Sequence, residues 1–283
     1  MKHKILLFAA LLTIAGACSK EKPAEKAAEL YPVRFNLSGL GVEYAPITKA
    51  GTTPPVTFVK YLIMQGSNIL EQKTLTISSA EDLAVQMYVP AGESSVYFAA
   101  GGQGATSSDS FSLEQYGSAI IVKGDYIELF AATTSVDPEA GRNYGVELQR
   151  ITGAIELQIL DADKAAAGQE ITSFGVTFEN KPVYYSLSTG TTAEGKYESN
   201  LFAKGNVSNG TGIISVLPAS EQNLFIELYT GASSTTKLYN SYTIKAAVYK
   251  NRKTIIKGNV YGGTPNFSIT IAEGWGENNE VVF

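Results

Sequence analysis

The side chains best suited to chemistry are scarce in this sequence and lie at one end of it. The 283 residues include one histidine, His3, and one cysteine, Cys18. Lys2, His3 and Lys4 form a positive start, and Ile5 to Ile14 is apolar apart from Thr13. Ala15-Gly16-Ala17 then supply small residues, which completes the three zones of a bacterial export signal. Loss of residues 1–17 removes His3, so the mature chain has no Ser-His or Cys-His pair and no zinc site built on His or Cys. The carboxylates suggest little more. Glu81 and Asp82 adjoin on a polar loop with no evident pocket, too thin a basis for a paired-carboxylate hydrolase. "SSDS" and "DADK" lack the spacing of a calcium loop and read as solvated turns. "GGQG" at 101–104 lacks the lysine and the helix of a phosphate loop and reads as a flexible strand connection. The expectation is no catalytic residue, no metal ligand and no cofactor.

Cys18 has a different reading. An ordinary secretory signal cut after Ala17 would leave an idle thiol at the new N-terminus, an odd feature where cysteines normally pair. "IAGAC" resembles the lipobox of bacterial lipoproteins, which implies cleavage between Ala17 and Cys18 and acylation of the cysteine. Two or more acyl chains on one residue anchor stably, whereas one does not. The following "SKEKPAEKAAE", within residues 18–30, has no apolar period and reads as a solvated tether. Removing Lys2 and Lys4 with the signal takes the net charge from −5 to −7. That acidity, with no basic run, argues against nucleic acid as a partner.

The elements behind the tether have a period of two. "VRFNL" puts Val33, Phe35 and Leu37 on one face, and "LAVQMYV" does the same with Leu83, Val85, Met87 and Val89. "LFIEL" and "FSITI" continue the pattern, which is that of half-buried antiparallel strands. "GGQGATSSDS", "STGTTAEGK" and "KGNVSNGTG" punctuate it as turns, and "DADKAAAGQE" has room for one or two helical turns. The body is therefore expected to be all-β. About 250 residues of short strands is large for one sandwich core, so two domains are expected, 31–150 and 151–283. "VPAGESSVYF" at 89–98 is echoed by "LPASEQNLFI" at 217–226, although a ten-residue match can arise by chance. "YGVELQRITGAIELQIL" would run one domain's last strand almost directly into the next domain's first, which is the geometry of a rod. The 16 tyrosines suit sheet faces but leave a carbohydrate surface open, and Trp275 reads as a core plug at a strand end.

Several stretches together resemble the fimbrillins, the subunits of type V pili of Bacteroides-like bacteria. They are the lipidated Cys18 with its tether, "YPVRFNLSG", "PITKAG", "VTFVKYLIMQGSNILEQK", "MYVPAGESSVYFAAGG", "VELQRITGAIELQI" and the closing "KGNVYGGTPNFSITIAEGWGENNEVVF". The resemblance implies two tandem transthyretin-like β-sandwich domains after a lipoprotein signal peptide. It also implies head-to-tail assembly with other fimbrial subunits by strand exchange at the cell surface. A protease would cut between Lys49 and Ala50 and remove residues 31–49, whose first strand, about Tyr31 to Val42, presents Val33, Phe35 and Leu37 inward. A neighbour would fill the groove with its C-terminal stretch, ending in Val281, Val282 and Phe283. An arginine usually stands where this chain has Lys49, and Arg34 falls inside the strand. Either a lysine-tolerant protease acts, or the segment and its lipid stay, tying the protein to the outer membrane as an anchor or accessory subunit. Stalk, anchor and tip roles stay open. So does a monomeric surface lipoprotein that binds glycans of host or bacterial surfaces through tyrosine-bearing loops.

Overall fold

Period-two runs become strands where one of their faces has a core to meet. The computed structural model describes residues 29–39, 56–196, 203–231, 236–262 and 266–272. In chain order the strands are β1 (Leu30–Ser38), β2 (Phe58–Gln65), β3 (Asn68–Thr76), β4 (Ala84–Pro90), β5 (Ser94–Gly101), β6 (Phe111–Tyr116), β7 (Ala119–Gly124), β8 (Leu129–Val136), β9 (Asn143–Glu147) and β10 (Gln149–Arg150). They continue as β11 (Gly153–Ile159), β12 (Ile171–Phe178), β13 (Asn180–Ser186), β14 (Thr191–Lys196), β15 (Ala203–Ser208), β16 (Thr211–Val216), β17 (Ala219–Thr230), β18 (Lys237–Val248), β19 (Lys253–Asn259) and β20 (Asn266–Ile271). Among the described residues the helical pieces are short 3-10 turns at Ala80–Leu83, Ser108–Ser110 and Ala162–Lys164. The protein is all-β.

The strands repeat one arrangement twice. In the first repeat β4-β1-β9 form one sheet and β10-β8-β5-β2-β3 the facing one. In the second, β11 lies between β16 and β19 as β1 lies between β4 and β9, antiparallel to the first neighbour and parallel to the second. Likewise β18-β17-β12-β15 repeats the order β8-β5-β2-β3. The two echoing sequences carry the same connection, from β4 to β5 and from β16 to β17, with a proline at the end of one strand. One difference is that β15 pairs with β16, at Val207↔Gly212 and Ser208↔Thr211, so the second repeat is a single eight-stranded sheet wrapped on itself. Another is β20, which lies outside β19, whereas β9 ends its sheet.

Two hairpins break the equivalence, and they meet. β6–β7 is inserted in the first repeat and β13–β14 in the second, and β7 pairs with β13 at Tyr185↔Val122 and Ser186↔Ile121. The resulting four-stranded sheet crosses residue 150 and joins the repeats. Its inner face packs Leu113, Ile120, Val122 and Tyr185 against Leu62, Met64, Ala99 and Leu129. The sheet containing β2 is thus covered on both sides, and Tyr61 to Met64 are buried without alternation. Its other face builds the first core with Val59, Tyr61, Ile63, Val96 and Phe98. The second core gathers Ile155, Leu157, Phe174, Val176, Leu224, Ile226 and Ile256.

Candidate functional site

β1 is the structurally distinctive element of the first repeat. Its residues alternate outward and inward, and Val33, Phe35 and Leu37 are buried in the core. The ring of Phe35 lies edge-on to Phe98 at 5.4 Å and stacks on Tyr144 at 5.6 Å. One flank pairs with β4 from Leu30↔Pro90 to Asn36↔Ala84, and the other with β9 from Arg34↔Asn143 to Ser38↔Glu147. The Arg34 N–H donates to the Arg142 carbonyl at 2.8 Å, and the Leu148 N–H donates to the Ser38 carbonyl at 2.8 Å. The Arg142 guanidinium lies 5.3 Å over the Tyr31 ring. Burial, with Glu29 nearby, pushes the Tyr31 hydroxyl above its ordinary range.

The end of β1 is held by geometry. Gly39 has φ +78°, and a Cβ there would meet Glu147 Cγ at 2.5 Å and the Leu148 carbonyl at 2.7 Å. Only glycine satisfies both the backbone and the space. Burial of three side chains at about 1.5–3 kcal/mol each gives roughly 5–9 kcal/mol for β1. A whole domain is stable by only about 5–15 kcal/mol. Without β1, the inner edges of β4 and β9 would lose their ladder partners and the core would lose a row of side chains. The slot therefore demands an occupant. β2 belongs to the facing sheet, and among the described residues β1 connects to the other strands through the chain from Ser38 to Phe58.

No protein-family model matches the chain, and no curated protein matches its sequence. Among solved structures, a candidate cell adhesion protein from Bacteroides uniformis superposes with a TM-score of 0.54 at 12% identity, covering 90% of this chain and 100% of that one. A candidate polysaccharide-binding protein from Bacteroides thetaiotaomicron superposes at 0.51 and 10% identity, covering 87% of this chain and 96% of the other. The chain has their fold. At these identities the likeness extends to the architecture alone. The fimbrial anchor protein Mfa2 from Porphyromonas gingivalis, at a TM-score of 0.45, 12% identity and coverage of 87% and 98%, is too distant in shape to bear on this chain.

Within this fold, Val33, Phe35 and Leu37 come together with residues of β2, β5 and β9 in one core. Ala17, Cys18, Lys49, Ala50, Trp275 and the terminal Val281, Val282 and Phe283 lie outside the described residues. Among the described residues no three His, Cys, Asp or Glu lie close enough to hold a metal ion. The Asp82 carboxylate accepts from the Ser78 and Ser79 N–H groups, both at 2.8 Å, and caps a 3-10 turn. Those bonds hold its carboxyl below the usual carboxylate range.

"DADK" departs from the expected solvated turn. Asp161 is 2% exposed and accepts the N–H groups of Val260, Tyr261 and Gly262 at 2.7, 3.0 and 2.8 Å. The reason is topological, since β11 and β19 are neighbours and the turn after one must receive the loop after the other. An interdomain cleft also escaped the sequence reading. Its first-repeat wall includes Gln103 and Gly104, from the stretch read as a mere connection. Its one sequence signal is Glu156, a charge inside the otherwise uncharged "GAIELQI".

Proposed function

We propose that this chain is a non-catalytic, cell-surface fimbrial subunit that assembles by strand exchange, with β1 as the strand that is replaced. The observation that carries the reading is β1 itself. It fills a central slot and supplies a full row of core residues, yet it is joined to the fold through one connection, which contains Lys49. A cut after Lys49 would leave β1 held by non-covalent contacts alone. The emptied slot offers unpaired ladder groups and an apolar trough, the standard terms of β-strand addition. A strand from a second copy, with Val281, Val282 and Phe283 near its end, would fill it. Because donor strand and slot are different surfaces of the chain, the contact is head-to-tail, and it extends into a fibre where successive contacts do not close. The fold shared with a candidate cell adhesion protein supports a surface role. The lipobox-like "IAGAC" supports delivery to the outer membrane through Cys18.

Limited tryptic nicking at Lys49 tests the mechanism. The expected outcome is conversion of monomer into a ladder of oligomers that withstands mild SDS. Nicked protein that stays monomeric at high concentration contradicts it. The N-terminal residue of the protein from cells assigns the role. A chain starting at Ala50 is a polymerising subunit, and one starting at Cys18 is an anchor or accessory subunit that retains β1.

A further inference from the structure

The two repeats face each other across a cleft of about 650 Å³, within the size range of ligand pockets and at a domain interface, where such pockets concentrate. Tyr126 and Gln103 come from the first repeat. Glu156, Lys204, Asn206 and Lys253 come from the second.

Glu156 is the informative residue. It is 8% exposed and points from a strand whose other residues, Gln158 apart, are aliphatic or glycine. Taking a carboxylate out of water is expensive, and a buried ion pair is weak support for stability compared with an aliphatic side chain. The fold does not need a charge there. Glu156 Oε2 accepts from Lys253 Nζ at 3.1 Å, and Oε1 accepts from Gln158 Nε2 at 2.5 Å. A carboxylate can accept about four hydrogen bonds and an ammonium can donate three. Among the described residues the pair therefore keeps unused acceptors beside unused donors at the cleft, which matches the adjacent hydroxyl groups of a sugar ring.

Lys204 adds a direction. It is exposed, makes no ion pair among the described residues, and holds its ammonium 5.3 Å from the Tyr229 ring centroid. Two lysines against one carboxylate leave the cleft net positive in a chain of net charge −5. Tyr126, with φ +60°, occupies a backbone region that tyrosine rarely adopts, and strain of this kind clusters at ligand clamps. Ile213, 39% exposed, gives apolar surface for the C–H face of a pyranose, and the Tyr126 ring beside it is held in place by the second core and by the Lys181 ammonium 5.7 Å from its centroid.

We propose that the cleft between the repeats binds a carboxylate-bearing saccharide, with Lys204 taking the carboxylate and the Glu156–Lys253 pair taking ring hydroxyls. The site adds a ligand class to the surface role proposed above, resting on that surface location alone and independently of strand exchange. Calorimetric titration of the full mature chain with a hyaluronan tetrasaccharide, sialyllactose and neutral maltotetraose tests it. Binding of at least one acidic sugar, about tenfold or more tighter than the neutral one, is expected. Lys204→Ala should lose about tenfold for the acidic sugar, the worth of one charge-assisted hydrogen bond, with unchanged melting. Glu156→Gln should weaken that sugar while leaving the preference for a carboxylate intact. No binding of either acidic sugar, equal binding of the neutral one, or an unaffected Lys204→Ala overturns the proposal. SDS-resistant ladders formed by nicked Lys204→Ala separate a failure here from a failure of the fimbrial reading.

Discussion

Asp161 accepts three backbone N–H groups from the loop after β19, and the balance of forces on it makes a pH prediction. Burial pushes its carboxyl up, but the bonds from Val260, Gly262 and Tyr261 outweigh that and leave it below the ordinary carboxylate value. A depressed native value means that the unfolded chain binds the proton more readily. The stability from Asp161 is complete above the unfolded value of about 3.9 and is lost as pH falls through the native value. Urea midpoints measured from about pH 5 downward should fall, and the component belonging to this residue should vanish in Asp161→Asn. Asp161→Ala orphans three donors and should cost about 2–4 kcal/mol at neutral pH. Phe35 makes the complementary case for an apolar residue. Its ring contacts with Phe98 and Tyr144 lie at the centre of the first core, and Phe35→Ala should cost about 3–5 kcal/mol by chemical denaturation. A loss under 1 kcal/mol would mean that β1 contributes little to the first repeat.

At the scale of elements, strands with one wet face were legible and those with two covered faces were not. β1 from Pro32 to Ser38 and β4 from Ala84 to Val89 alternate in burial as the period of two predicts. β2 does not, because the inserted hairpins cover its second face and Leu62 and Met64 are buried there. The Gly-, Ser- and Thr-rich clusters misled in the other direction. "TTAEGK", "AKGNVS" and "TGIISV" read in part as turns but form β14, β15 and β16. Space explains the glycines. A Cβ on Gly205 or Gly212 would meet the Phe174 ring at 2.6 or 2.7 Å, so the aromatic ring of β12 occupies the volume that their side chains would fill. Gly205→Ala, whose added methyl would meet the Phe174 ring first, should therefore destabilise by overpacking, by about 1–3 kcal/mol. Phe174→Leu in the same chain should recover part of the loss in a double-mutant cycle, and strict additivity would contradict this packing. β1 was readable as an alternating run near the N-terminus, and β9 falls within the strand read at "YGVELQ", but their pairing was not readable, since parallel pairing leaves no local turn to find.

At the scale of the molecule, the repeats are joined by more than a short linker. Arg150 binds Glu128 Oε1 through Nε and Nη2, both at 2.7 Å, and reaches Asn251 Oδ1 in the second repeat at 2.9 Å. Its guanidinium lies 5.1 Å over the Phe130 ring, and its side chain is 8% exposed. Truncating one member of a buried pair leaves the other uncompensated. Arg150→Ala should cost about 3 kcal/mol and split a single calorimetric transition into two as the repeats uncouple, and a single undisturbed transition would speak against a rigid junction. A duplicated body with one slot filled by its own first strand is the arrangement on which the fimbrial reading depends. Complementation of that slot tests it most directly. A chain beginning at Ala50 should melt well below the full chain and recover when a peptide of residues 30–40 is added, while the same peptide with Phe35→Ala should not rescue it. A chain from Ala50 as stable alone as the full protein, or one indifferent to the peptide, would contradict the account.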